Sequence, residues 1–82
     1  MTTRFDAEQV DLANVAQMLR DGCGEFVEGN VVGRTRVRDL VAAHLGCSFL
    51  EAERVVDTMA GRGFIVEVEQ PNGQAGWQIR QR

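Results

Sequence analysis

His44, Cys47 and Ser48 bring an imidazole, a thiol and a hydroxyl into one short stretch, and Cys23 is the only other thiol. Groups of this kind serve as metal ligands, or as a nucleophile with its base. Structural zinc takes four protein ligands, and this chain offers three good ones. A catalytic triad needs a hydroxyl free to attack and an acid to orient the base. Ser48 is the only serine, and its surroundings commit it elsewhere. In Ser48-Phe49-Leu50-Glu51 it matches a capping box, in which Ser48 accepts from the N–H three residues on and Glu51 reaches back to the N–H of Ser48. With one histidine and no lysine besides, the sequence points to no catalytic residues, no metal and no cofactor, and an enzyme is not expected. The pairs Gly22-Cys23-Gly24 and Gly61-Arg62-Gly63 are too short for a phosphate loop and fall where helices should end.

The capping box sets the frame for the rest. A helix begins at Phe49 and runs to about Arg62. Before it, a second helix spans about Arg36 to Leu45 and is closed by Gly46, with Val37, Leu40, Val41 and either His44 or Leu45 on its buried face. Ala52, Val56 and Met59 form the buried face of the third helix, with Val55 and Phe49 at its margin. Leu50, Arg54, Asp57 and Gly61 then point outward, flanked by Glu51 and Thr58. The first helix starts at an Asp6 cap with Gln9 three residues on and a Phe5–Val10 staple. It buries Leu12, Val15, Ala16 and Leu19 and stops at Gly22. Ala7, Val10 and Met18 lie off that face. They complete the core or form a second apolar stripe for dimerisation.

Residues 23–30 read as a glycine-punctuated loop that holds Phe26 and Val27 against the core, and Val31-Val32 as a brief first strand. At the other end, Phe64 to Glu69 is a strand, Pro71-Asn72-Gly73 a turn, Gly76 a second turn, and Trp77 to Arg80 the returning strand. Trp77 either covers the core from this hairpin or stacks on a nucleic-acid base, and the core role is favoured.

A chain of 82 residues with 44% apolar content suits one small globular domain over residues 1–82. No apolar run approaches the roughly 20 residues of a membrane span. The N-terminus lacks the apolar core of a signal peptide, and two cysteines suit a reduced cytosolic domain, so a cytoplasmic protein without membrane contact is expected. All nine basic residues are arginine, and the net charge is −3. An acidic total weighs against a free-standing nucleic-acid binder, although local patches count for more.

The stretch Asp39-Leu40-Val41-Ala42-Ala43-His44-Leu45-Gly46-Cys47-Ser48, followed by Ala52, Val55-Val56, Met59 and Gly63-Phe64-Ile65, resembles a winged helix-turn-helix domain of the kind found in prokaryotic transcription regulators. The resemblance covers about residues 31–82, with the first helix as the usual third partner. It implies an α+β fold of three helices with a C-terminal two-stranded β-hairpin wing. In DNA-binding members the third helix enters the major groove and the wing touches the backbone. Carried over by position, the resemblance implies groove contacts from Leu50, Glu51, Arg54, Asp57 and Thr58, and wing contacts from Asn72, Gln74, Gln78 and Arg80.

Arg34, Arg36 and Arg38, spaced by two, share one side if that segment is extended. There they meet phosphate, extended by Arg80 and Arg82, or else they neutralise Asp39, Glu28 and Glu67 on a solvated surface. Glu51, Glu53 and Asp57 outnumber Arg54 on the third helix, and Leu50 stands outward without a partner. Two functions follow. The first, favoured on the frequency of such regulators, is a DNA-binding transcriptional regulator, with a homodimer as its expected form and double-stranded DNA as its partner. The second is a protein-interaction module using the acidic face of the third helix.

Overall fold

The computed structural model describes residues 9–80. Its elements follow the order α1 (Leu12–Cys23), β1 (Phe26–Glu28), α2 (Val31–Leu45), α3 (Phe49–Gly61), β2 (Ile65–Glu69) and β3 (Ala75–Ile79). The described residues thus form an α+β arrangement of three helices and a three-stranded antiparallel sheet.

The capping box at α3 forms as the sequence predicts. The Ser48 hydroxyl accepts from the Glu51 N–H at 3.1 Å, and the Ser48 N–H donates to Glu51 Oε1 at 3.0 Å. Two donors that the first helical turn leaves unbonded are satisfied reciprocally. Gly46 ends α2 in the left-handed region at φ 66°, and its N–H donates to the Ala42 carbonyl. A side chain at that φ is strained, so the tight turn between α2 and α3 depends on glycine there.

Each helix buries most of the face that its periodicity marks, and Ala42 of α2 and Val55 of α3, expected off or at the margin of those faces, are buried as well. Leu12, Val15, Ala16 and Leu19 of α1 meet Val37, Val41 and Ala42 of α2 and Ala52, Val55, Val56 and Met59 of α3, with Val27, Ile65 and Ile79 closing the core from the sheet. Val10 and Met18 pack partly buried against this core, as do Leu40 and Leu45. His44 is exposed.

The boundaries depart from expectation in several places. α1 begins at Leu12, where the Asp11 carboxylate accepts from the Asn14 N–H, and Asp6, Phe5 and Ala7 lie outside the described residues. α1 also continues past Gly22 and ends at Gly24, whose N–H donates to the Arg20 carbonyl. Gly22 keeps the helix because an exposed helical glycine costs only about 1 kcal/mol.

Val31-Val32 is not a strand. These residues open α2, which starts five residues earlier than Arg36. The first strand lies instead at Phe26–Glu28, inside the stretch expected to be a loop. It pairs with β3 in the register Phe26 to Gln78, Val27 to Trp77 and Glu28 to Gly76. The expected two-stranded wing is therefore a three-stranded sheet of order β1-β3-β2. Gly76 forms no turn: it is buried within β3, under the Phe26 ring and against the Val27 carbonyl.

Candidate binding face on the second and third helices

Because α2 starts at Val31, all three arginines of the 34–38 run are helical, and they do not line one side of an extended segment. A helix turns about 100° per residue, so Arg34 and Arg38 share a face and Arg36 points away from them. The Arg34 guanidinium forms ion pairs with Asp57 and, at 3.7 Å, with Glu53, both on α3. The same group lies 5.6 Å from the centroid of the Trp77 ring. Arg38 bonds Asp39 through Nε and Nη2, at 3.1 and 2.8 Å, and lies 4.6 Å from the centroid of the Phe49 ring. Each of these arginines is thus held between a carboxylate and an aromatic face within its own chain.

Arg36 sits on the other side of α2. It lines a concavity of about 300 Å³ together with Cys23, Phe26, Glu28, Val32 and Gln74. Burial raises the Cys23 thiol above its ordinary pKa, and the positive charge of Arg36 opposes that rise. Cys23 Sγ donates to the Leu19 carbonyl at 3.0 Å. Burial also raises Cys47, with the Glu51 carboxylate adding to the rise and a backbone hydrogen bond opposing it. Among the described residues, no group of three His, Cys, Asp or Glu side chains is placed to hold a metal ion. His44 faces α1, where its Nε2 lies 3.4 Å from Asn14 Oδ1.

The outward face of α3 holds Leu50, Arg54, Asp57 and Gly61, all exposed. Leu50 is 69% exposed, and its neighbour Phe49, expected at the edge of the core, is 57% exposed. Phe49 is outside because Ala52, Val55, Val56 and Met59 fill the buried stripe, which leaves its ring to lie under Arg38. The Thr58 hydroxyl is turned onto its own helix, donating to the Arg54 carbonyl at 2.8 Å. Neither Arg54 nor Arg36 forms an ion pair or side-chain hydrogen bond among the described residues.

The sheet residues named for wing contacts are largely occupied with one another. Asn72 Oδ1 accepts from the Gln74 N–H at 3.0 Å, which closes the hairpin turn. Gln78 Oε1 accepts from Arg80 Nε at 3.1 Å. Arg82 lies outside the described residues. Trp77 packs against the core, and its indole N–H donates to the Asn30 carbonyl at 2.7 Å.

The structure therefore gathers Arg34, Arg38, Leu50, Arg54, Asp57 and Thr58 on or beside one α2–α3 face, and leaves Arg36 and Gln74 together on another. It also adds residues that pattern reasoning missed. Val31 and Val32, expected as a brief first strand, are 78% and 75% exposed at the start of α2. No helix of the described residues is long and apolar enough to cross a membrane. Compared with known proteins, the chain matches no family model, no curated protein and no solved structure.

Proposed function

We propose that this chain is a winged-helix module that binds a protein partner through the outward face of α3. The order of three helices with a tight turn at Gly46, followed by a hairpin that joins β1 in one sheet, supports the winged-helix reading. The observation that carries the binding reading is the state of the α2–α3 face. Leu50 and Phe49 stand exposed side by side, while Arg34 and Arg38, the α2 cations that reach α3, are engaged by Asp57, Glu53 and Asp39. Binding to duplex DNA draws its affinity from cations that replace counterions at phosphate. Cations already neutralised within the chain supply little of it, whereas adjacent exposed apolar side chains favour a protein surface.

Replacement of Leu50 by Asp tests this reading. The variant keeps the far-UV spectrum and melting temperature of the parent and loses the partner that the parent captures from native lysate. Capture that is insensitive to Leu50→Asp counts against it.

A second reading, a transcriptional regulator that contacts duplex DNA through α3 and the wing, is favoured by Arg54, which projects from the middle of α3 without an ion-pair partner among the described residues. Fluorescence anisotropy with mixed-sequence duplex at low salt separates the two. The protein reading predicts no saturable binding. Binding that weakens steeply with salt and is lost on Arg36→Glu and Arg54→Glu establishes the DNA reading.

A further inference from the structure

Resting on the protein-binding reading, we propose that the partner is a second copy of this chain, docked through an antiparallel, two-fold related pairing of α3 with α3. Leu50, Arg54, Asp57 and Gly61 recur at spacings of four, three and four residues, the spacing of a helix–helix seam. The set is self-complementary. Leu50 and Gly61 lie equally far from the midpoint between Val55 and Val56, and so do Arg54 and Asp57. A two-fold axis through that midpoint places each Leu50 on the Gly61 of the other copy, and each Arg54 beside the Asp57 of the other copy.

The local surroundings fit these pairings. Beyond its chain neighbours and its own helix backbone, a Cβ at Gly61 would meet nothing within 4 Å, so this exposed position has no side chain to obstruct an approaching leucine. Asp57 and Glu53 share one cation, Arg34, so this carboxylate pair carries one more charge than Arg34 neutralises. Arg54 has no ion-pair partner in its own chain among the described residues, and Asp57 keeps 67% of its side chain exposed. The Arg54 of the other copy supplies the balancing charge. A parallel pairing would instead set Arg54 against Arg54 and Asp57 against Asp57, like charges in contact.

Apolar groups at the two ends strengthen the match. Val31 lies one turn before Arg34 and two turns before Arg38, both of which reach α3, so it sits at the Gly61 end of the face. Phe49 and Leu50 occupy the opposite end. Antiparallel docking brings the Phe49–Leu50 end of one copy onto the Val31–Gly61 end of the other.

One helix seam buries less than the roughly 800 Å² per partner of a standard interface, so the dimer is weak. Sedimentation velocity on the full chain, from about 5 µM to about 1 mM, should show a reversible monomer–dimer shift within that range. Arg54→Asp and Gly61→Gln should each weaken self-association by about tenfold or more, with unchanged circular dichroism. Arg54→Asp mixed with Asp57→Arg should form a heterodimer, because opposite charges again face each other across the axis. If Asp57→Arg fails to fold, the first two variants decide.

A parent chain that stays monomeric throughout, or a dimer indifferent to Arg54→Asp and Gly61→Gln, overturns the proposal. A monomeric chain that still captures another protein in a Leu50-dependent way overturns the second copy alone and leaves the protein reading standing. A monomer that binds duplex through Arg54 overturns both.

Discussion

The Arg34 guanidinium lies 5.6 Å from the centroid of the Trp77 ring, and through this contact α2 grips the middle strand of the sheet. On its other side the same group pairs with Asp57 and Glu53 of α3. One side chain therefore sets the sheet, α2 and α3 relative to each other, with the Trp77 indole N–H anchored on the Asn30 carbonyl nearby. Partly exposed ion pairs and cation–π contacts each contribute up to about 1 kcal/mol. Arg34→Ala is expected to cost about 1–2 kcal/mol in urea unfolding and to raise Trp77 fluorescence quenching by iodide. An unchanged midpoint would show that the three-way contact has no net stabilising effect.

Gly76 offers a sharper test of the sheet. A Cβ there would stand 2.2 Å from the Val27 carbonyl oxygen and 2.7 Å from the Phe26 ring. The carbonyl belongs to the backbone and cannot move aside without breaking the β1–β3 register. Gly76→Ala should therefore destabilise by about 3 kcal/mol or more, as severe overpacking does. Denaturant titration checks this, and Gly73→Ala, which meets open space at a positive φ, should cost clearly less.

The Ser48 cap predicts a chemical distinction between two neighbours. Ser48→Ala removes the acceptor for the Glu51 N–H and should cost about 1 kcal/mol. Glu51→Gln keeps an acceptor for the Ser48 N–H and should cost less, since glutamine also serves in a capping box. Equal losses in the two urea midpoints would mean that the Glu51 charge at the α3 N-terminus matters as much as its hydrogen bond.

Burial lifts the thiols of both Cys23 and Cys47 above their ordinary value of 9.0, chiefly by disfavouring the thiolate. The folded chain then holds these protons to higher pH than the unfolded chain does. This contribution to stability is complete below 9.0 and is lost as pH rises through the folded values. With no lysine and no tyrosine present, few other side chains titrate in that range. Urea midpoints should fall as pH passes above 9.0, and the fall should flatten when both cysteines are replaced by alanine. A slope that survives the double replacement would place its origin elsewhere.

Local signals carried the helices a long way. The Ser48 box, the Gly46 stop and the 3.6-residue spacing of Leu12, Val15, Ala16 and Leu19 are written in short stretches of chain, because caps and helical faces depend on residues within one or two turns. The outward set Leu50, Arg54, Asp57 and Gly61 was legible for the same reason. Gly33 shows where such signals fail. With Val31 and Val32 it makes a poor helix start, yet the helix forms because Gly33 lets α2 approach β1, where a Cβ would stand 2.8 Å from the Glu28 carbonyl oxygen.

By itself, then, the sequence determined the Ser48 cap, the Gly46 stop, most of the buried helix faces and the pairing of the two C-terminal strands, each through interactions between near neighbours along the chain. Tertiary structure alone decided that Phe26–Glu28 joins the sheet, that α2 begins at Val31, and that the Arg34 charge is taken up by the carboxylates of α3. Those outcomes rest on contacts between residues far apart in sequence, such as Arg34 with Trp77 and Val27 with Gly76, whose strength depends on close approach and burial, which no short window of residues encodes.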